Sequence, residues 1–270
     1  MRKRIATLVV AICCTLAGTA AQAVAAPSAR AHTQLPQIGK IVPRVHPLPP
    51  GLLANRRTKT TTAGVGVSQN YGGLLLYNGN FSEVGGFFYV PRVNCAGGVT
   101  TYASTWDGIG GVLNNGQPGG DINQLGVEED CINGSPSYYA WYENFPATNV
   151  PLATVYPGDL IAVLAESSGG VVTYILIDYN TGFVYEPPAS AVGTTPTSAE
   201  WIEESPCVGY NGTCSEGALS NFGTVTWGTL SDQYTGANVQ LDVLTMNDNG
   251  AIATPANWNG DGFQIIYSHQ

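Results

Sequence analysis

The sequence predicts an all-β fold, either a sandwich or a barrel. Short runs rich in β-branched and aromatic residues recur from about residue 63 to the C-terminus, a composition typical of strands. The 34 glycines and 17 prolines of the 270-residue chain punctuate these runs as turns. No helical period of useful length appears. Closely spaced strands with turn signals indicate one all-β domain that is long enough to bury a core.

The first 25 residues have the features of an export signal. Arg2, Lys3 and Arg4 precede an apolar run at 5–11, and small residues at 21–25 offer cleavage sites. This pattern predicts a signal peptide at 1–25 that is too short to span a membrane. We therefore expect a secreted, extracellular protein of bacterial origin that has no membrane attachment once the signal is removed.

Residues 26–62 predict a basic, Pro-rich prosegment rather than a domain. Nine of the ten Lys and Arg residues lie before position 60, where the chain has no Asp or Glu. Prolines recur without periodicity, and Arg56, Arg57 and Lys59 offer sites for a processing protease. We expect this segment to lie over an acidic cleft of the body and to leave it as the pH falls.

The body, residues 63–270, is strongly acidic. It carries all nineteen Asp and Glu residues of the chain and a single basic residue, Arg92. Such a charge repels nucleic acid and anionic membranes, and it repels itself at neutral pH. This self-repulsion fades as carboxylates take up protons near pH ~4. We therefore expect a monomer that works in acid and binds no nucleic acid.

Nine runs of the body are predicted strands because of their residue types. They are 84–90, 101–106, 138–143, 160–166, 171–178, 183–186, 223–227, 239–246 and 263–267. Residues 178–182, Asp-Tyr-Asn-Thr-Gly, lie between two of these runs and predict a hairpin turn.

The body keeps four cysteines, Cys95, Cys131, Cys207 and Cys214. An even number in an oxidising compartment predicts two disulfides, and four cysteines allow three pairings. The short separation of Cys207 and Cys214 favours that pair, which leaves Cys95 with Cys131.

The sequence excludes several catalytic chemistries. His32 and His46 lie in the predicted prosegment, and His269 is the penultimate residue. The body therefore lacks a histidine for a Ser-His-Asp or Cys-His system, and it lacks the histidine clusters of catalytic zinc sites. It also lacks paired Asp-Thr/Ser-Gly loops and the loops that bind phosphates or dinucleotides. Catalysis would have to rely on carboxylates, amides and aromatic side chains, with no metal or organic cofactor.

Three segments of the body could line a cleft. Strand alternation places each of these sets on one face: Glu200, Ile202 and Glu204; Tyr139, Trp141, Glu143 and Phe145; Gln124 and Glu128. Glu203 points the other way, and we expect it on the plain surface. A glutamine amide can donate to a developing oxyanion, and aromatic residues beside an acid suit a substrate groove. Each set is also compatible with an ordinary sandwich surface.

The order of these motifs resembles the glutamic peptidases, or eqolisins. The similar segments are 106–111 (Trp-Asp-Gly-Ile-Gly-Gly), 122–128 (Ile-Asn-Gln-Leu-Gly-Val-Glu), 139–146 (Tyr-Ala-Trp-Tyr-Glu-Asn-Phe-Pro) and 199–204 (Ala-Glu-Trp-Ile-Glu-Glu), with 70–73, 86–91 and 221–227 similar to other strands of that family. The resemblance covers essentially the whole body. It implies an antiparallel β-sandwich of two bent sheets, a concanavalin-like jelly roll, whose concave face holds a Gln/Glu dyad.

The resemblance assigns this dyad to Gln124 and Glu200. It also implies that five residues line or support the cleft and bind substrate: Tyr71, Trp106, Trp141, Glu143 and Glu204. The family usually has Trp at the position of Tyr71, Asp at those of Gly110, Glu128 and Tyr139, and Tyr at that of Phe145. The dyad is therefore intact, whereas the residues around it differ from those usual in the family.

The residues and the resemblance together predict a secreted acid endopeptidase that acts on proteins or peptides. Glu200, with a pKa near the ~4.3 of an ordinary glutamate, would act as general base on a water held against Gln124. The Gln124 amide would donate to the oxyanion that forms.

Two other functions are compatible with the sequence. A β-sandwich glycoside hydrolase could use Glu143 and Glu200 as its carboxylate pair, and the aromatic face would suit a sugar. A non-catalytic carbohydrate-binding or adhesion module would need neither acid. The fold does not separate these functions from that of a peptidase.

Overall fold

The computed structural model describes residues 44–45, 53–54, 64–208, 215–259 and 261–269. Every regular element in these ranges is a β-strand. The predicted signal peptide at 1–25 lies outside the described residues, and so does most of the predicted prosegment. Among the described residues, no helix meets the length and hydropathy needed to cross a membrane.

The strands of the described ranges are numbered in chain order. They are β1 (Arg44–Val45), β2 (Leu53–Ala54), β3 (Gly64–Ser68), β4 (Tyr71–Tyr77), β5 (Asn80–Tyr89), β6 (Ser104–Val112), β7 (Pro118–Ile132), β8 (Ser135–Asn144), β9 (Val150–Thr154), β10 (Leu160–Ser168), β11 (Val171–Asp178), β12 (Phe183–Tyr185), β13 (Ser190–Ala191), β14 (Ser198–Glu204), β15 (Cys207–Val208), β16 (Ser215–Glu216), β17 (Thr224–Thr235), β18 (Gln240–Asp248), β19 (Ala251–Ala256) and β20 (Gly262–His269). Their pairings are antiparallel, except that β3 runs parallel to β18.

The pairings form one continuous path, β9-β8-β7-β6-β14-β4-β18-β19-β20-β17-β5-β10-β11-β12. We call β9 to β18 of this path the first sheet and β20 to β12 the second sheet. Strand β19 joins the two. The path folds back on itself, so that the two sheets face each other.

The main core lies between the two sheets. Trp201 of the first sheet donates its indole N–H to the carbonyl of Gly85 in the second sheet at 2.9 Å. From the second sheet, the Tyr174 hydroxyl donates to Asn123 Oδ1 of the first at 3.0 Å and also contacts Asn144 Oδ1. Phe88 and Trp227 pack beside each other in this core, with ring centroids 4.8 Å apart. The predicted antiparallel sandwich is confirmed.

The sequence pattern located most of the strands but missed some. Each of the nine predicted runs falls on an observed strand. The predicted turn at 178–182 joins β11 to β12, and Asp178 Oδ1 accepts the backbone N–H of Asn180 at 2.9 Å. Strand β4 was not predicted from its residue types because its run, Tyr-Gly-Gly-Leu-Leu-Leu-Tyr, lacks alternation. It lies between β14 and β18 and is buried on both faces for most of its length.

The disulfide between Cys95 and Cys131 is present, with a Cα–Cα distance of 5.4 Å. It ties the loop after β5 to the end of β7. Cys207 also forms a disulfide, but its predicted partner, Cys214, lies outside the described residues.

Two short strands come from the predicted prosegment. Arg44 and Val45 pair with Val208 and Cys207, directly after the strand that carries Glu200. Leu53 and Ala54, as β2, pair with β3. Parts of the segment 26–62 therefore add strands to the body.

Candidate active site

Four neighbouring strands of the first sheet align polar residues in one row. Glu200 of β14 lies opposite Gly108 of β6, Gly108 lies opposite Gln124 of β7, and Gln124 lies opposite Glu143 of β8. Directly opposed residues share a face. Neighbouring strands lie about 4.8 Å apart, which puts the backbones of Glu200 and Gln124 about 10 Å apart. We call this face, which is turned away from the second sheet, the site face.

Gly108 lies between the two dyad candidates, where the Trp106 ring and the Gln124 side chain leave little room for a larger residue. A Cβ atom at this position would lie 2.9 Å from Trp106 Cζ3 and 3.2 Å from Gln124 Cβ. Since glycine has no side chain, none stands between the carboxyl of Glu200 on one side and the amide of Gln124 on the other.

The next row along the strands holds the two predicted tryptophans. Trp106 and Trp141 flank Gly126, where an added Cβ would lie 2.5 Å from Trp106 Cβ. Both indoles are buried, and each donates its N–H within the site face. Trp106 Nε1 donates to Glu204 Oε2 at 2.8 Å, and Trp141 Nε1 donates to Ser104 Oγ at 3.1 Å. Glu204 therefore holds the orientation of Trp106.

A third row contains two positions, 128 and 139, at which this chain differs from the residues usual in the glutamic peptidases. Glu128 and Tyr139 are direct cross-strand partners on β7 and β8. Asn149 joins them, because its side-chain amide donates to Glu128 Oε1 at 3.3 Å and to the Tyr139 hydroxyl at 3.4 Å. The longer acid and the tyrosine are thus bridged by one amide.

The environment of Glu200 differs from the sequence-based expectation. Glu200 is only 2 % exposed, and burial raises its pKa well above the ordinary value, with the Ser198 hydroxyl lowering it in part. The expectation of an ordinary glutamate pKa is therefore wrong, because the carboxyl lies inside the sheet rather than on an open surface. The Ser198 hydroxyl lies near this carboxyl, but neither carboxylate oxygen accepts a hydrogen bond of normal geometry among the described residues.

Tyr71 lies among the acids of the site face. It is the cross-strand partner of Glu204, and its ring meets that of Trp106 edge-on at a centroid distance of 5.2 Å. Burial raises the pKa of its hydroxyl well above the ordinary value, and the charges of Glu204, Glu200 and Glu143 raise it further. Within the described structure the Tyr71 hydroxyl has no hydrogen-bond partner.

The opposite face of the same strands carries acids that were not anticipated. Glu203 was expected on the surface, but it is fully buried, so that expectation is wrong. Thr105 donates to Glu203 Oε2 at 2.7 Å, and burial raises the pKa of Glu203 to about 8. Glu129 and Asp107 are also buried on this face, and burial raises their pKa values well above the ordinary range. The cause is that this face of β14 is turned towards the second sheet.

The structure brings the predicted site residues onto one face. Gln124, Glu200 and Glu143 share the first row, and Tyr71, Trp106, Trp141 and Glu204 share the two rows beside it. Four residues of the site face described above were not predicted from the sequence: Gly108, Ser104, Asn149 and Ser198. Of these, Gly108 lies within the motif at 106–111, and its register opposite both dyad candidates could have identified it. Among the described residues no group of three metal-ligating side chains comes together.

Several known proteins are similar to this chain in sequence or in fold. The chain is 27 % identical over 227 residues to Aspergillopepsin-2 of Aspergillus niger, which covers 74 % of this chain and 78 % of that protein. Its fold is similar to scytalido-glutamic peptidase solved with a transition state analog inhibitor, with a TM-score of 0.61, 20 % identity, and coverage of 74 % of this chain and 98 % of that one. It is also similar to aspergilloglutamic peptidase from Aspergillus niger, with a TM-score of 0.50, 25 % identity, and coverage of 62 % and 99 %.

A β-sandwich that presents a glutamate and a glutamine in one row is the arrangement expected of a glutamic endopeptidase. Residues 69–267 match the Peptidase A4 family, and the chain belongs to that family. It is therefore an enzyme of the glutamic endopeptidase class. This membership sets aside the glycoside hydrolase and the non-catalytic module.

Proposed function

We propose that this chain is a secreted, acid-active endopeptidase in which Glu200 and Gln124 form the catalytic dyad. The observation that carries the proposal is the row Glu200-Gly108-Gln124, in which a carboxyl and an amide flank a residue without a side chain. Family membership supports it, because the dyad motifs at 122–128 and 199–204 lie inside the matched residues 69–267.

The proposed reaction is direct attack of water on a peptide bond. Ionised Glu200 takes a proton from a water that lies over Gly108. The water oxygen bonds to the carbonyl carbon, and the Gln124 amide donates to the oxyanion that develops. Glu200 then gives its proton to the leaving amine as the carbon–nitrogen bond breaks. The water oxygen ends in the new carboxyl group, and no acyl-enzyme forms.

The raised pKa of Glu200 sets the acid limit of this reaction. A carboxyl with a raised pKa is a stronger base once it is ionised, and once protonated it holds the proton for delivery to the amine. We expect activity to rise with pH as Glu200 ionises, above the range of an ordinary glutamate. Loss of activity towards neutral pH would come from the acidic body, whose self-repulsion grows as its carboxylates ionise.

The proposed substrates are proteins or peptides. An eqolisin named SCP-B was solved in complex with the tripeptide Ala-Ile-His, which supports an extended peptide as the ligand of this fold. We assign substrate binding to the side chains around the dyad: Tyr71, Trp106, Trp141, Glu143 and Glu204. The buried indoles would form the apolar floor on which a peptide lies. A metal, an organic cofactor and a nucleic acid have no part in the proposal, and the enzyme would act as a monomer.

Secretion and activation complete the proposal. The sequence at 1–25 supports export, and the disulfide between Cys95 and Cys131 fits an oxidising compartment. Residues 26–62 would form a prosegment on the peptidase domain at 63–270. The pairing of β1 with β15 supports this role, because it attaches the segment next to the end of the Glu200 strand.

Protein digestion across pH 3 to 7 tests the dyad, because Glu200, with its raised pKa, ionises above the range of an ordinary glutamate. Gln124→Ala should lower kcat by about 100-fold to 1000-fold, the loss typical of a missing oxyanion donor, and Glu200→Gln should abolish cleavage. Gln117→Ala and Glu166→Gln are matched controls, because both residues lie off the site face and should keep full activity. Equal cleavage by the dyad variants and the controls would exclude the proposal.

A further inference from the structure

Asp242 lies on the site face, in line with the dyad. It is the cross-strand partner of Leu75, and Leu75 is the partner of Glu200. The row that contains Glu200, Gly108 and Gln124 therefore extends across β4 to β18. Asp242 is only 5 % exposed. It places a further buried acid in the row of the dyad.

The carboxyl of Asp242 lies against the residue that begins β3. This residue, Gly64, pairs in parallel with Asp242. A Cβ atom on Gly64 would lie 2.0 Å from Asp242 Oδ1 and 3.0 Å from its Cγ. Since the backbone N and the Cβ of one residue are about 2.5 Å apart, Gly64 N lies within about 4.5 Å of that oxygen. A positive charge on this nitrogen would therefore lie beside Asp242.

Removal of the proposed prosegment would change the surroundings of β3. Strand β3 lies between β2 and β18, and β2 belongs to the segment 26–62. Departure of that segment takes β2 away, so that β3 is held by β18 alone. Hydrolysis of the chain before β3 also creates a new α-amino group, which is cationic below its ordinary pKa of about 7.7–8.0. A chain end of this kind frays unless it is tied down.

The new amino group is also a cation that the fold brings to Asp242. Beyond position 59 the chain has no lysine, and Arg92 is its single arginine. Burial raises the pKa of Tyr138 on β8, and the nearby charge of Arg92 lowers it in part. Strands β7, β6, β14 and β4 separate β8 from β18. Arg92 therefore lies at the other side of the sheet from Asp242.

We propose that Asp242 binds the amino terminus that processing creates at Gly64 or at the residue before it. The ion pair fastens the free end of β3 to β18 and replaces the support that β2 gives in the full-length chain. Through Leu75, it also steadies the flank of the sheet beside Glu200. This inference rests on the proposed removal of residues 26–62.

The reactivity of the new amino group tests this pair. Because lysine is absent after position 59, the processed protein carries a single amine. Full-length protein is processed in acid, and mass spectrometry identifies the new amino terminus. An acetylating ester at pH 7 then modifies only the neutral form of that amine. The ion pair keeps the amine protonated, so acetylation should be at least about tenfold slower than in the same protein unfolded in urea.

Two variants show whether Asp242 causes this protection. Asp242→Asn should speed acetylation of the folded, processed protein by about tenfold, because the amine loses the charge that keeps it protonated. Asp261→Asn is the matched control. Asp261 is an exposed acid between β19 and β20, and its replacement should leave the rate unchanged.

Urea unfolding separates the pair from an ordinary structural role of Asp242. In the processed protein, Asp242→Asn should lower the ratio of folded to unfolded molecules by about tenfold, because it breaks a buried ion pair. In the full-length chain no amino terminus lies at Gly64, so the loss should be smaller. An equal loss in both forms would contradict the inference.

The remaining outcomes distinguish this inference from the proposed function. An amine that reacts as slowly in Asp242→Asn as in the wild type, or an amino terminus far from Gly64, would overturn the inference alone. A full-length protein that acid leaves uncut and fully active would overturn the proposed prosegment, and the inference with it. Should Asp242→Asn not fold, Gly64→Ala displaces the carboxyl, because its Cβ would meet Oδ1 at 2.0 Å. It should also speed acetylation, and an unchanged rate would refute the pair.

Discussion

At position 108 a hydrogen atom stands where every other residue would place a carbon. That difference matters because Glu200 and Gln124 flank Gly108 from the strands beside it, and the Trp106 ring packs above it. The local backbone does not demand glycine here, since Gly108 is not among the glycines of positive φ. The requirement comes from the space above the residue.

We expect Gly108→Ala to lower kcat/KM by about 100-fold or more while the fold is kept. The methyl group would lie 2.9 Å from Trp106 and 3.2 Å from Gln124, which displaces the indole ring and the side chain that carries the amide. Misplacement of about 1 Å can cost 100-fold in rate. Gly228→Ala is the control, because a Cβ on this strand glycine of β17 meets nothing within 4 Å. Peptide hydrolysis rates and circular dichroism would check both variants, and an active Gly108→Ala would contradict the role given to this position.

A second prediction about a single residue concerns the hydroxyl of Tyr71. A buried donor without a partner costs about 1–3 kcal/mol, so Tyr71→Phe should raise the free energy of unfolding by about 1 kcal/mol. If the hydroxyl serves the substrate, the same change should lower kcat/KM about tenfold. Urea unfolding and peptide hydrolysis measure the two effects. A variant that loses stability would show that the hydroxyl has its partner inside the protein, and one that keeps full kcat/KM would show that the hydroxyl does not serve the substrate.

Strands β7 and β14 carry acids on both of their faces. On the site face these acids serve the proposed chemistry, but on the opposite face Glu129 and Glu203 lie buried near each other, with Thr105 bonded to Glu203 and lowering the pKa of both acids. The charge of Glu203 also raises the pKa of Glu129. Burial of such groups is tolerated while they are protonated and becomes costly when they ionise.

This pair predicts a stability that falls as the pH rises. The pKa of Glu203 is about 8 in the folded protein against 4.5 as its ordinary value, so between these values the folded state binds the extra proton. Its contribution is fully present below pH ~4.5 and declines by up to about 1.4 kcal/mol per pH unit towards pH 8. Glu203→Gln should flatten this decline and be more stable than the wild type at pH 7.

Urea unfolding at pH 4, 5.5 and 7 measures this dependence. Glu166→Gln, at a half-buried position of β10, is the control and should follow the wild type. A wild-type free energy of unfolding that stays level over this range would refute the prediction.

The elements also show what the sequence could and could not predict. Strand alternation placed Glu200 and Glu204 together, because this rule depends only on local geometry. The same rule put Glu203 on the opposite face but did not reveal that a second sheet covers that face. Ser198 was missed for a related reason, since its hydrogen bonds to Val112 and Gly110 form where the ladder between β14 and β6 ends. Burial and cross-strand register are properties of the assembled sheets.

In the whole molecule, the positive and negative charges occupy different parts of the chain. The basic residues precede position 60 with the single exception of Arg92, and all acids follow. Backbone pairing of β1 with β15 and of β2 with β3 joins the basic segment to the acidic body. Electrostatic attraction between the basic segment and the acidic body weakens when the acids take up protons.

We expect trimming of residues 1–62 to raise peptidase activity more at pH 6–7 than at pH 3–4. At the higher pH the acidic body is ionised and holds the basic segment, whereas at the lower pH the segment is already released. Peptide hydrolysis by the full-length and trimmed proteins across this range provides the measurement. A full-length protein as active as the trimmed one at neutral pH would rule out inhibition by the segment.

The continuous path of strands has a further consequence for an enzyme that attacks polypeptides. A peptide bond must be extended and free of backbone partners before it can enter such a site, and an unpaired strand edge offers that form. Along the path from β9 to β12, each inner strand has neighbours on both sides, and the strands at its two ends are only five and three residues long. The hydrogen-bond ladder that aligns Glu200 with Gln124 thereby also protects the folded enzyme from digesting itself.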